Sequence, residues 1–235
     1  GAVAALRVPQ FILPSPLAIG EQLVAFGGSV VSGSINTGLN ALVGLVAGSV
    51  LAVLLATLSG FLRPVDQMSA PLVAAVAVVP IVALAPVLYS MYGADRETTR
   101  QVVAGLATFV PVYTNTLRGL RQVAPVHRDL LRAYGASRWQ SARKVTLPGA
   151  IPHAFTGLRI ASSLAVVSAL IAEYFGGPVS GLGKAITSSA SSSNYSLAWA
   201  YVFGSIVLGT VFYAVTLALE RAVSTRLAPR TAAAG

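Results

Sequence analysis

Between Glu21 and Arg63 the chain carries no charged residue, and within that interval Leu39 to Leu58 reads LNALVGLVAGSVLAVLLATL. A helix rises about 1.5 Å per residue, so roughly 20 such residues cross about 30 Å of hydrocarbon. The run is long enough. Residues 71–92, 101–117 with their flanks, 155–175 and 197–219 meet the same test, which predicts five spans and an all-α, polytopic helical bundle. The composition agrees: 10% of residues are charged, against about one-quarter in soluble domains, which argues against a soluble enzyme. The absence of cysteine excludes disulfides, thiolate metal sites and thiol nucleophiles. Two histidines make no metal cluster by themselves.

The few charges set an orientation. Sixteen Lys and Arg stand against seven acids, for a net charge of +9, and they are concentrated in the connection 118–153, with Arg118, Arg121, Arg128, Arg132, Arg138, Arg143 and Lys144. In a soluble protein such an excess would suggest nucleic acid; between uncharged runs it marks a cytoplasmic loop, and no nucleic-acid partner is expected. Counting from that loop puts Arg63 and the tail with Arg221, Arg226 and Arg230 inside, and 93–97 and 176–195 outside. Parity also places residues 1–34 outside and predicts a further span ahead of Gly1. Two parts follow: an outer-side segment, 1–34, and a membrane domain, 35–235. In the first, Ser15-Pro16 reads as a capped helix start and Gly27-Gly28 as its stop, with Leu17, Ile19, Leu23, Val24 and Phe26 suited to a short interfacial helix.

Small residues recur in every span, and Gly44 with Gly48 forms a GxxxG pair. Close packing of such residues is what joins helices in lipid; packing within the chain is favoured over a dimer seam. Polar residues inside spans cost several kcal/mol unless they face a cavity or a partner. Thr108, Tyr113, Asn115, Ser162, Ser163, Ser168 and Glu173 are therefore candidates for a translocation path, with back-bonding to the same helix as the plainer role of any single Ser or Thr. Pro80 and Pro86 should bend or break the span 71–92, freeing backbone carbonyls that only protein or a cavity can cover.

From Ala124 the chain reads APVHRDLLRAYGASRWQSARKVTLPGAIP. Pro125 opens a first helix, Gly135 ends it in a left-handed turn, and Ser137 with Gln140 forms the capping box of a second helix that must stop before Pro148. Leu130, Leu131 and Tyr134 on the first, and Trp139, Ala142 and Val145 on the second, make an apolar ridge suited to protein docking. The segment resembles the EAA loop of ABC-importer permeases, in which an acid and two alanines precede Gly by three residues and Ile-x-Leu-Pro follows after nine more. Here Asp129, Leu130 and Leu131 lead to Gly135, and Val145, Leu147 and Pro148 close the pattern. Asp replaces Glu, two leucines replace the alanines, and Val replaces Ile. Phe11-Ile-Leu-Pro-Ser-Pro16, Val79-Pro80, Ala85-Pro86, Thr156-Gly-Leu-Arg159, Ala172-Glu173 and Gly181-Leu-Gly183 look like the branch that imports nitrate, sulfonates, taurine and pyrimidine precursors.

The resemblance implies a type I importer permease in a bacterial inner membrane. It further implies a second permease chain, cytoplasmic ATPase subunits and an extracytoplasmic binding protein as partners. Asp129, Leu130, Leu131, Tyr134, Gly135, Ala136, Ser137, Arg138, Trp139, Val145, Leu147 and Pro148 would form the ATPase-docking site. ATP and magnesium would belong to the ATPase, with no cofactor in this chain. The segment from Gly177 to Ala185 fails the GxxxxGK[ST] spacing and reads as a glycine-rich external loop. A membrane-embedded enzyme would need a nucleophile with a base or a metal cluster inside the bilayer, but His127 and His153 fall in the cytoplasmic loop region and no intramembrane acid pair is seen; a secondary transporter would carry intramembrane acids and repeats that are not seen.

Overall fold

The computed structural model describes residues 14–93, 96–122, 126, 130–131, 133–176 and 180–227, and every regular element among them is a helix. Asp129, Pro125, Arg128, Arg132 and residues 11–13 and 177–179 lie outside the described residues. Helix α1 (Pro16–Ala25) starts as its sequence dictates: the Ser15 hydroxyl accepts from the Ala18 N–H at 3.2 Å, with Pro in the first turn. Gly27-Gly28 does not stop it. The chain turns at Phe26 and the next helix, α2 (Gly27–Phe61), begins at once. The Phe26 N–H still reaches the Gln22 carbonyl and the Phe26 carbonyl accepts from Val30, so this bend needs no left-handed glycine. Helix α2 then runs unbroken through residues 34 and 35, where the sequence divides an outer segment from the membrane domain.

The next elements are α3 (Arg63–Val78), α4 (Ile81–Tyr92), α5 (Thr98–Arg121), the short α6 (Arg138–Ser141), α7 (Leu147–Phe175), α8 (Leu182–Ser191) and α9 (Tyr195–Leu227). Helix α2 is inverted relative to a soluble helix. Its buried face is Gly33, Thr37, Gly38, Asn40, Ala41, Gly44, Gly48, Ala52, Ala56 and Ser59 with few larger residues, while Leu39, Val43, Val46, Val50, Leu51 and Leu54 stand exposed. In lipid the tails solvate the large apolar groups, and the gain comes from backbones that approach closely. Gly44 and Gly48 do this within the chain, against Gln101, Ala104, Gly105 and Thr108 of α5.

These contacts also fix the course of the chain. Gly44 lies beside Ala104, Gly48 beside Gly105 and Gly60 beside Leu120, so α2 and α5 run parallel. Gly119 meets Ala150 and His153, and Gly157 meets Pro111 and Val112, so α7 returns antiparallel. Ser162 pairs with Thr216, and Thr156 and Arg159 reach Glu220, so α9 runs back again. Between α2 and α5, Asp66 is ion-paired to Arg121 near one end and Tyr89 packs on Gly176 at the other, so α3 and α4 carry the chain across. The described residues thus pass five times between an Arg-rich end and a Glu173 end.

Fewer than five passes are apolar enough to be spans by composition. Gly27–Phe61, Arg138–Phe175 and Tyr195–Thr225 are, and α3 with α4 makes a fourth if the pair, bent by 101°, counts as one. Helix α5 is not among them: it makes the pass expected of residues 101–117, but it is less apolar than that expectation assumed. It is the central helix, flanked by α2 and α7, with Thr99, Arg100, Thr108, Tyr113 and Thr116 buried, so protein rather than lipid covers it. The break between α3 and α4 falls at Val79-Pro80, whereas Pro86 lies inside α4 without interrupting it.

Candidate functional site

At the Arg-rich end the elbow is built as the sequence specifies. Val126, Leu130, Leu131 and Ala133 are helical, and Gly135 takes φ +74°, the left-handed conformation that costs a side-chain-bearing residue most. Two bonds close the helix: the Tyr134 N–H to the Leu130 carbonyl at 3.1 Å and the Ala136 N–H to the Leu131 carbonyl at 2.9 Å. The second, six-to-one bond is the mark of a Schellman closure. Ser137 then caps α6, accepting from the Gln140 N–H at 3.2 Å while its own N–H donates to Gln140 Oε1 at 2.8 Å. With the backbone groups satisfied, the side chains are what remain. Tyr134 is 82% exposed and Trp139 68%, with Leu130 also exposed, beside Arg138. Leu131, Ala136, Val145, Leu147 and Pro148 are half-buried, whereas Ser137 is exposed. A groove of about 400 Å³ separates it from the ends of α2 and α5, lined among others by Phe61, Arg63, Leu120, Ala136 and Arg138.

The second helix does not stop before Pro148. Residues Ala142–Thr146 form a π-turn, in which the Leu147 N–H bonds the Ala142 carbonyl five residues back, and α7 follows directly with Pro148 in its first turn. Proline lacks an N–H and its ring clashes with the carbonyl four residues earlier; the wider π-turn accommodates both. The result is one helical rod, Arg138–Phe175.

The polar residues within the spans are not gathered around one cavity. Thr108 bonds the Gly105 carbonyl at 2.9 Å beside Gly48, and Tyr113 joins Ser69 at 2.8 Å and Ser59 at 3.2 Å. Asn115 donates to the Pro111 carbonyl at 2.8 Å. Ser162 donates to the Arg159 carbonyl at 2.7 Å and pairs with Thr216, and Ser168 is buried. Pro80 and Pro86 are exposed. Ser163 lines a lateral groove of about 560 Å³ between α7 and α9 with Ser205, Thr210 and Tyr213. None of the others lines it.

Glu173 is the exception in chemistry. Fully buried, it accepts from Thr37 Oγ1 at 2.9 Å to each carboxylate oxygen, from the Gly183 N–H at 2.9 Å and from Arg100 Nη1 at 3.3 Å. Thr37 Oγ1 in turn accepts from the Leu182 N–H at 3.0 Å. One carboxylate thus ties α7 to α2, α5 and the start of α8. Residues from Leu182 onward are consequently helix rather than the expected glycine-rich loop, and Gly181 and Gly183 pack so closely on Glu173 that neither leaves room for a Cβ. Arg100, also fully buried, has a second carboxylate at 3.5 Å, that of the half-exposed Glu97. Sequence reasoning finds Glu173 but misses Arg100, Thr37 and the two amides. Arg100 borders an apolar run, and that position is the one available signal.

Residues 44–225 match the family described as "Binding-protein-dependent transport system inner membrane component". The chain is 34% identical to the riboflavin transport system permease protein of Chloroflexus aurantiacus over 76% of its own length and 66% of that protein's. It is 30% identical to the formylaminopyrimidine transport permease protein of Halalkalibacterium halodurans, over 71% and 66%, and 31% identical to the taurine transport system permease protein of Escherichia coli, over 74% and 58%. The chain therefore spans about two-thirds of the length of the curated relatives it matches. Its fold is that of a crystal structure of an amino acid ABC transporter, with a TM-score of 0.66, 15% identity and coverage of 87% of this chain and 95% of the other.

Proposed function

Because this chain belongs to the family of binding-protein-dependent transport system inner membrane components, we propose that it is the permease subunit of an ATP-driven importer in a bacterial inner membrane. It forms part of the pathway for a small solute delivered by a separate binding protein, and it pairs with a second permease chain. The Arg-rich end faces the cytoplasm, where the elbow seats in a cleft of an ABC ATPase. The observation that carries this reading is the elbow: a Schellman closure and a capping box fix two helix ends, and Tyr134 and Trp139 project outward beside Arg138, mostly exposed among the described residues. ATP and Mg²⁺ act in the ATPase. Closure of the ATPase pair moves the elbows and, through them, the helices that surround the pathway. The relatives named above are transport proteins for chemically unlike solutes, which supports a permease whose substrate is selected by the binding protein.

Replacing Gly135 by valine tests the reading. A β-branched residue cannot hold φ +74° without strain, so the variant should lose co-purification of the ATPase and uncouple import. Normal import with full ATPase retention overturns it. Orientation is tested separately. The chain has no cysteine, so single cysteines at Ser29 and Ser141 can be labelled in intact cells with an impermeant maleimide. Ser29 should react from outside and Ser141 only after the membrane is opened.

A further inference from the structure

The ion cluster and the elbow are the two ends of one object. The rod Arg138–Phe175 has 38 residues, about 57 Å at 1.5 Å per residue, with the capped elbow at its start and Glu173 two residues before its end. Whatever turns or tilts the elbow reaches the Glu173 carboxylate through continuous helix. There the carboxylate accepts bonds from three other elements, two of which, Thr37 and the Gly183 N–H, join α2 to α8. A buried ion pair adds little net stability over apolar packing of the same shape. Its value as a fastening lies in being made or broken as a unit.

Arg100 supplies the second position. It lies between two carboxylates at similar distances, Glu173 at 3.3 Å inside the bundle and Glu97 at 3.5 Å near its surface. Among the described residues its Nε makes no hydrogen bond, and Nη2, the atom 3.5 Å from Glu97, makes none beyond that ion pair. A guanidinium presents five N–H donors in a fixed fork, so Arg100 has spare donors with which to take Glu97 fully when Glu173 withdraws. The cluster therefore holds the elements of a two-position switch: one cation, two acids and a rod that carries one of the acids.

We propose that Glu173 is the positioning residue of a latch. With Arg100 on Glu173, α8 is fastened to α2; when the rod moves, Arg100 passes to Glu97, the Thr37 and Gly183 bonds open, and α8 separates from α2. The proposal rests on the importer reading for what moves the rod, but the exchange itself is a property of this chain.

The test places spin labels at cysteines replacing the exposed Ser32 on α2 and Ser188 on α8, and measures their separation by pulsed electron resonance in the assembled transporter, at rest and with vanadate-trapped nucleotide. The unaltered latch should give one separation at rest and a longer one when trapped. Glu173→Gln should show the longer separation already at rest, with import per ATP reduced by about tenfold. Glu173→Asp should restore part of both. Glu97→Gln, at an exposed site that does not threaten folding, should act in the opposite sense, keeping the short separation in the trapped state. Unchanged separations in both Gln variants overturn the latch, and if Glu173→Gln fails to assemble, Glu97→Gln decides alone. Absent import in the unmutated complex would count against the importer reading only, since the resting separation of Glu173→Gln is read without transport.

Discussion

The two ends of the bundle solve opposite problems. At the Arg-rich end the backbone is closed by a Schellman bond and a capping box while the large side chains are left open, with Tyr134 and Trp139 mostly exposed. At the Glu173 end the charges are inside, and the carboxylate is satisfied by a hydroxyl, an amide and a guanidinium from three elements. Exposed aromatic side chains on a fixed backbone suit the docking role proposed above. A buried carboxylate with its donors in place is complete already. The first end leaves its large side chains open and the second encloses its charges.

Substitutions sharpen that contrast in decreasing order of effect. Arg100→Met should be the most damaging, because it leaves Glu173 buried without its cation. A loss of roughly 3–5 kcal/mol is expected, read as a lowered Tm of the purified protein, and the double change with Glu173→Leu should recover most of it. Gly48→Val comes next, at about 1–3 kcal/mol or more, since its new Cβ would meet the Thr108 hydroxyl and the Gly105 carbonyl; the measurement is again thermal unfolding in detergent. Trp139→Ala should leave stability within about 0.5 kcal/mol yet weaken capture of the ATPase by about 2 kcal/mol, seen by titration against the purified partner. A stability loss there would break the distinction between the ends. Ser137→Ala should have the smallest effect, about 1 kcal/mol or less on local order, detected as faster amide exchange in residues 138–141.

What could be read from the sequence follows the range of each signal. The elbow is local: Gly135, Ser137 and Gln140 lie within one short stretch of sequence, and each reappears in its expected role. The apolar runs are local as well, and the course of the chain agrees with them except where α5, wrapped by α2 and α7, needs little apolar surface of its own. Pro148 misleads because a π-turn five residues long absorbs it, and nothing in Ala142 to Thr146 announces one. The Glu173 cluster is out of reach for a different reason. Its members are 10, 73 and 136 positions apart, and only packing brings them together. The same holds for Thr108, Tyr113 and Ser162, whose hydrogen-bond partners lie across the helix interfaces.

The inverted face of α2 has a consequence for how such a chain can drift over generations. In a soluble helix the buried side is large and apolar and tolerates exchange among residues of similar volume. Here Leu39, Val43, Val46, Val50 and Leu54 stand about half exposed on the outer face, where lipid tails would accept one branched chain as readily as another. Gly44 and Gly48, against the backbone of α5, admit not one added methyl. A lineage descending from this sequence would therefore be variable where it is hydrophobic and invariant where it is small.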